Sequence, residues 1–291
     1  MLISVKIVKI TSMPKRSAEC VPCFGVPQNG GKGINMIALI LAAGYATRLY
    51  PLTINTPKPL LPVGPKAMID YITDEIETIP DVTRIAVVTN HRFASHFDEW
   101  SKTRSGKDIA DGKLSTPIIV IDDGTTDDTN KLGAIGDIQF VIDKLSIDED
   151  MMIIAGDNLF TYKLSDMYAF FKEKQHDTLI SVTVEDIDQL RKLAVATINE
   201  DGKVEALAEK PKEPKSTDAV YATYMYLRET IPMIRQYLDE GNTPDAPGHF
   251  PSWLYTRKDV YVYRAPGTCI DIGTPENYKD VCDNYQEILG L

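Results

Sequence analysis

From Met36 onward, apolar runs alternate with longer stretches whose apolar residues recur every three or four positions. That alternation predicts strands followed by helices, the βαβ signature of a mainly parallel sheet covered by helices. Strands are predicted at 36–42, 84–89, 117–121 and 151–155, the last apolar throughout, as a strand covered on both faces should be. Between them, 66–79 aligns Met68, Ile69, Ile72, Ile76 and Ile79 on one helical stripe, and 132–145 aligns Ile135, Ile138, Val141, Ile142 and Leu145. Past Phe160 the pattern turns to strands at 179–184, 195–198, 204–208 and 219–226, with Asn199-Glu200-Asp201-Gly202 as a hairpin turn. Helices at 228–240 and 251–257, a strand at 260–263 and a helix from Pro275 complete the chain, with no internal repeat.

Composition narrows the class. The 291 residues, 43% apolar and 25% charged, suit one large α/β domain or two small ones. The longest uninterrupted apolar run, from Met36, is roughly eight residues against the ~20 of a membrane-spanning helix, so no membrane partner is expected. Thirty-one basic residues against 42 acidic ones leave −11, which disfavours a nucleic-acid partner and requires that any phosphate ligand be met by a few local cations. Lys6, Lys9, Lys15, Arg16 and Lys32 against Glu19 make residues 1–35 +4, and therefore 36–291 −15. With the unpatterned Gly-, Pro- and Asn-rich stretch 22–35, this reads as a flexible basic leader ahead of a domain at 36–291. Cys20-x-x-Cys23 has neither a second pair for zinc nor a βαβ helix start for redox chemistry, and four cysteines in all fit a reducing cytoplasm.

The most informative chemistry lies at 36–63. A buried strand ends in Ala42-Ala43-Gly44, small enough for a ligand to approach the backbone, and the loop beyond it outlines a phosphate cradle. Neither the Gly-x-Gly-x-x-Gly nor the Gly-Lys-Ser/Thr nucleotide loop is present. Arg48 and Lys58 supply positive charge downstream of that strand end, where open α/β sheets bind ligands.

The run LAAGYATRLYPLT followed by PKPLLPV resembles the signature of the sugar-phosphate nucleotidyltransferases, the nucleoside-diphosphate-sugar pyrophosphorylases, and especially the short glucose-1-phosphate thymidylyltransferase type. Further landmarks follow in order: LGAIGDI with Gly133 and Gly136, AGDNLF at 155–160, EKPKEPKS at 209–216 and IDIGTPENY at 270–278. The resemblance covers essentially 36–285. It implies a three-layer α/β/α, Rossmann-like, mainly parallel mixed sheet with an inserted β-rich sugar-binding region, the nucleotide part at about 36–160 and the sugar-phosphate part at about 161–291.

The activity so implied is Mg²⁺-dependent transfer of a nucleotidyl group from a nucleoside triphosphate, dTTP or UTP favoured, to a sugar 1-phosphate, glucose 1-phosphate favoured, with release of pyrophosphate. The resemblance places Arg48 and Lys58 at the triphosphate and leaving pyrophosphate, and Leu41, Ala43, Gly44, Thr47, Asp122 and Gly133 around the nucleotide. It places Asn158, Ala194, Glu209, Lys210 and Ala222 at the sugar phosphate, and Asp157 and Asp271 at the metal. Two anions must be held in line, and no protein nucleophile is needed because the sugar phosphate is already ionised. Mg²⁺ suits a site with few protein carboxylates. A homo-oligomer stays open.

Singly, each assignment has an ordinary alternative. Gly156-Asp157-Asn158, Asp271 and Asp122-Asp123 are also turn residues, and Glu209-Lys210 is also a solvated loop. Relatives commonly carry Gly at the positions of Ala46, Ala194 and Ala222 and an aromatic at Cys269. Those departures keep a second reading alive, a silent sugar-nucleotide-binding regulatory relative, but the charged set is complete.

Overall fold

The segment expected to open the domain does so, as β1 (Met36–Leu41), whose residues Met36 to Ile40 are wholly buried. The structure, a computed structural model, describes residues 35–110 and 116–290; the basic leader and its Cys-x-x-Cys pair lie outside the described residues. After β1 come β2 (Pro62–Val63), β3 (Lys66–Ala67), α1 (Met68–Ile76), β4 (Val82–Thr89), α2 (Ala94–Ala110), β5 (Ile118–Asp122), α3 (Ala134–Leu145), β6 (Asp150–Ala155) and β7 (Asn158–Phe160). The second half adds α4 (Leu164–Lys174), β8 (Asp177–Thr183), α5 (Ile187–Leu190), β9 (Ala194–Ile198), β10 (Val204–Glu209) and β11 (Asp218–Tyr226). Then follow α6 (Ile231–Asp239), α7 (His249–Leu254), β12 (Val260–Arg264), β13 (Cys269–Asp271) and α8 (Pro275–Leu289).

The two-residue period of β1 sorts the core into layers. Met36, Ala38 and Ile40 join one apolar cluster with Ile69, Ile72 and Ile76 of α1, Phe97 of α2 and Phe171 of α4. Ile37 and Leu39 join another, with Ile135, Ile138 and Val141 of α3, Ile234 of α6 and Leu254 of α7. Helices therefore cover both faces, which is why the central strands are apolar without alternation. The result is the expected three-layer α/β/α arrangement.

The strands β6, β1, β4 and β5 lie side by side and parallel. The chain lays β4 and β5 on one side of β1 and then returns to put β6 on the other, a topological switch point whose crevice opens beyond the carboxyl ends of β1 and β6. The β-rich second half joins the same sheet through β11. Its residues Asp218 to Val220 pair with β9, Thr223 to Tyr226 pair with β6, and β8 runs along its other edge with a register shift between Tyr221 and Tyr224. Ala222 falls at that shift, beside the carboxyl end of β6.

Three helices have no counterpart among those expected: the single turn α5, too short to show a period, and α2 and α4. In α2, ASHFDEWSKTRSGKDIA, Phe97 and Trp100 are the only large apolar side chains before the last turn, too few to draw a stripe. In α4, Leu164, Met167, Tyr168 and Phe171 do fall at i, i+3, i+4 and i+7, but the stripe spans only two turns before Lys172-Glu173-Lys174. Residues 66–67, expected at the start of a helix, instead form β3, paired antiparallel with β2.

Candidate active site

The site is built at the two strand ends flanking the switch point. Beyond β1 the chain enters the loop Ala42-Ala43-Gly44-Tyr45-Ala46 and a 3-10 turn over Thr47–Leu49 that carries Arg48. Ala46, at the position where glycine was expected, adopts φ 47°, ψ 42°, left-handed backbone that costs a residue with a Cβ roughly 1–2 kcal/mol. Its carbonyl accepts from the Thr53 hydroxyl at 2.8 Å and from the Leu49 N–H at 3.0 Å, bonds that hold the loop there. A second 3-10 turn, Lys58–Leu60, carries Lys58.

Beyond β6, Gly156 donates its N–H to the Leu41 carbonyl at 2.9 Å. A Cβ on it would stand 2.9 Å from that same carbonyl oxygen and from Ile40 Cγ2, so only glycine lets the two strand ends approach this closely. Asp157 follows directly. The second carboxylate arrives from more than a hundred residues away because β13 pairs antiparallel with β7, setting Asp271 opposite Asn158.

The three charges meet. Lys58 Nζ donates to Asp157 Oδ2 at 3.0 Å and to Asp271 Oδ1 at 2.8 Å. Lys58 is nine-tenths buried, whereas the two carboxylates are about half exposed, at 44% and 49%. Lys58 and Asp157 lie on the wall of a cavity of ≈ 230 Å³ also lined by Leu41, Gly44, Arg48, Ile272 and Gly273, and Asp271, just before Ile272, is held beside it by Lys58. Arg48 is exposed and makes no hydrogen bond or ion pair among the described residues, so its five donors are available to an anion. Two carboxylate oxygens converging on one point, both open to solvent, fit an ion such as Mg²⁺ that takes few protein ligands and completes its shell with water and phosphate oxygens. Among the described residues no group of three or more His, Cys, Asp or Glu is placed to hold a metal, so the denser donor set that zinc prefers is not found there.

A second chamber of ≈ 290 Å³ shares Leu41, Gly44 and Asp157 with the first and adds Ala43, Tyr45, Asp123, Gly133, Asp137 and Asp245. The Tyr45 hydroxyl reaches Thr125 Oγ1 at 3.4 Å and ties the loop after β1 to the loop after β5. Asp122, expected at the nucleotide, is absent from both chamber walls. Its Oδ2 lies 2.6 Å from His91 Nδ1 and its Oδ1 accepts from the Gly124 N–H at 2.8 Å. Despite burial, those bonds hold its carboxyl below the usual range. The neighbouring Asp123 stands on the wall instead, since successive residues leaving a strand point to opposite sides. Thr47 is exposed and lines neither chamber.

The sugar-phosphate candidates gather around β9 and β10. Ala194 is buried and pairs with Glu209 across the hairpin. The Glu209 carboxylate lies against Gly248, where a Cβ would be admitted only by moving that carboxylate aside. Lys210 is exposed, sits at φ 48° and donates its N–H to the Leu193 carbonyl at 3.0 Å, with its Nζ 3.8 Å from Glu209. Asn158 is buried beside Asp271 and belongs to the carboxylate ladder rather than to either chamber wall.

Tyr45, Asp137 and the segment 244–248 are site residues that the sequence reading did not single out. Only the run NTPDAPG, a cluster of turn formers between two helices, signalled a loop there.

The model of the family described as nucleotidyl transferase matches residues 37–288. A glucose-1-phosphate adenylyltransferase from Clostridium novyi is 28% identical over 254 residues, 83% of this chain and 64% of the relative. A putative mannose-1-phosphate guanyltransferase from Sulfolobus acidocaldarius is 26% identical over 245 residues, 84% of this chain and 61% of the relative. The chain thus spans less than two thirds of either protein. Among solved structures, a UDP-glucose pyrophosphorylase complexed with UDP-glucose superposes with a TM-score of 0.72 at 21% identity, covering 87% of this chain and 99% of that one. A putative glucose-1-phosphate thymidylyltransferase from Bacillus anthracis gives 0.66 at 25% identity, covering 87% and 96%.

Proposed function

This chain belongs to the nucleotidyl transferase family, and we propose that it transfers the nucleotidyl group of a nucleoside triphosphate to a sugar 1-phosphate, releasing pyrophosphate. The observation that carries this reading is the convergence of Lys58, Asp157 and Asp271 beneath an unengaged Arg48 at the switch point of the sheet. A phosphate oxygen of the sugar 1-phosphate attacks the α-phosphorus, and the bond to the bridging oxygen of the departing pyrophosphate breaks. The protein's task is to bring two anions together in line and to absorb the charge that moves onto the leaving group.

Arg48 forks onto the triphosphate, where its contacts tighten as charge moves toward pyrophosphate. Lys58 lies deeper and holds the two carboxylates in one orientation. Asp157 and Asp271 are the residues that would hold Mg²⁺, which neutralises phosphate charge when bound. Glu209 accepts hydrogen bonds from sugar hydroxyls and Lys210 meets the sugar phosphate.

Glucose 1-phosphate is the sugar substrate we favour, in line with the names of the adenylyltransferase and thymidylyltransferase relatives. The similar proteins are named as adenylyl, guanyl and thymidylyl transferases, so the dTTP or UTP expected from the resemblance stays one choice among several. Incubating the protein with Mg²⁺, four sugar 1-phosphates and five triphosphates, and measuring pyrophosphate, tests the reading. Release above background for at least one pair is the expected result; none for all twenty pairs in folded protein leaves the silent binding relative standing.

A further inference from the structure

The second chamber holds five carboxyl groups, Asp123, Asp128, Asp137, Asp157 and Asp245, against one lysine, Lys131. That lysine already lies 3.4 Å from Asp128. Such a wall repels phosphate oxygens, so a nucleotide with its phosphates at Arg48 turns its base end here.

Two of these acids are set apart by burial. Asp123, after β5, and Asp137, in the first turn of α3, are 9% and 6% exposed. Asp123 Oδ1 accepts from the Thr125 N–H at 2.6 Å. The Asp137 carboxyl lies within hydrogen-bonding reach of Asp123, while its Oδ1 has no hydrogen-bond partner at all. Burial first, and the Asp123 charge second, push Asp137 up to about 8, so at neutral pH the pair holds one proton between its two members. With that proton held between the two carboxyls, the oxygens left over act as acceptors.

Two of the backbone donors nearby are occupied as well. A base carbonyl would look for N–H groups at the start of α3, but the Ala134 N–H donates to the Asp245 carbonyl at 3.1 Å and the Ile135 N–H to the Pro244 carbonyl at 2.9 Å. At the start of α3 these two donors are taken, while the buried side chains of the chamber, Asp123 and Asp137, present carboxyl oxygens.

From this juxtaposition the geometry points to selection of a nucleobase bearing an exocyclic amino group, adenine, cytosine or guanine, over uracil and thymine, with the Asp123–Asp137 pair as the selecting element. The inference rests on the nucleotidyltransferase reading above. An amino group brings two N–H donors to the pair. Uracil and thymine bring one N–H flanked by two carbonyl oxygens, so a carboxyl pair that accepts it meets an oxygen on either side, and buried acceptors are left unpaired.

Equilibrium binding of ATP, CTP, GTP, UTP and dTTP to the full chain with Mg²⁺, measured by calorimetry, tests this without turnover. At least one of ATP, CTP and GTP should bind about tenfold or more tightly than both UTP and dTTP. Asp137→Asn introduces an amide donor and should narrow that ratio by about tenfold. Asp123→Asn, its partner in the pair, provides a second variant with the same expected direction. A ranking led by UTP or dTTP, or a ranking unchanged in both variants, overturns base selection and leaves the transferase reading standing. Absence of binding by all five triphosphates to folded protein overturns both.

Discussion

In the first chamber a buried lysine stands between two half-exposed carboxylates, and an arginine keeps its guanidinium unengaged. In the second, two buried carboxyl groups stand against each other with no cation between them. Both chambers are walled by Leu41, Gly44 and Asp157, so the backbone framework is common and side-chain charge makes the difference. Opposite charges brought together in the first prepare it for phosphates. Like charges forced together in the second are relieved by keeping a proton, which turns an electrostatic liability into a hydrogen-bonding surface.

The contrast breaks most completely at the carboxylates of the first chamber. Asp157→Asn and Asp271→Asn should each lower pyrophosphate release by about a hundredfold or more, with the unfolding midpoint little changed because both side chains are half exposed. Wild-type turnover at saturating Mg²⁺ in either variant would remove these residues from the reaction centre. Lys210→Ala should raise the KM for sugar 1-phosphate by about ten- to a hundredfold, the value of one charge-assisted contact of ~1.5–3 kcal/mol, and spare the triphosphate. Steady-state kinetics with each substrate varied in turn checks the division of labour.

Gly156→Ala probes the framework common to both chambers. The added methyl meets the Leu41 carbonyl and Ile40, and should destabilise the protein by about 1–3 kcal/mol in urea unfolding while lowering activity through displacement of Asp157. The second chamber responds to pH. Asp137 keeps its proton to about pH 8 when folded but loses it near 3.8 when unfolded, so between these values the folded state binds more protons. Its contribution therefore destabilises the protein progressively as pH rises from about 4 to about 8. Asp137→Asn removes that dependence, so the wild-type-minus-variant stability difference should fall steadily across this window, and the variant should have the higher midpoint at pH 8, at about 2–4 °C per kcal/mol. A difference curve that does not move with pH would show that Asp137 is ionised throughout. The smallest effect is expected at Ala46→Gly, which frees a backbone held at φ 47° and should stabilise by about 1 kcal/mol.

The sequence by itself determined the layers and marked most of the charges that the structure brings together. Strands buried on both faces must be apolar throughout, so β1 and β6 stood out, and helices with one apolar stripe, α1 and α3, marked what covers them. Arg48, Lys58, Asp157 and Asp271 were legible because they follow strand-end motifs whose order along the chain is as informative as their content. Tertiary structure alone decided which side chains meet. Nothing in the chain's pattern says that β13 pairs with β7, yet that ladder carries Asp271 to Lys58. Nothing in DDG says which aspartate faces the chamber, because one residue of advance along a strand end reverses the side chain, and Asp122 went to His91 while Asp123 met Asp137. The Asp123–Asp137 pair was invisible for the same physical reason: its proton is a consequence of burial and of a neighbour fourteen residues away, and both are properties of packing rather than of composition.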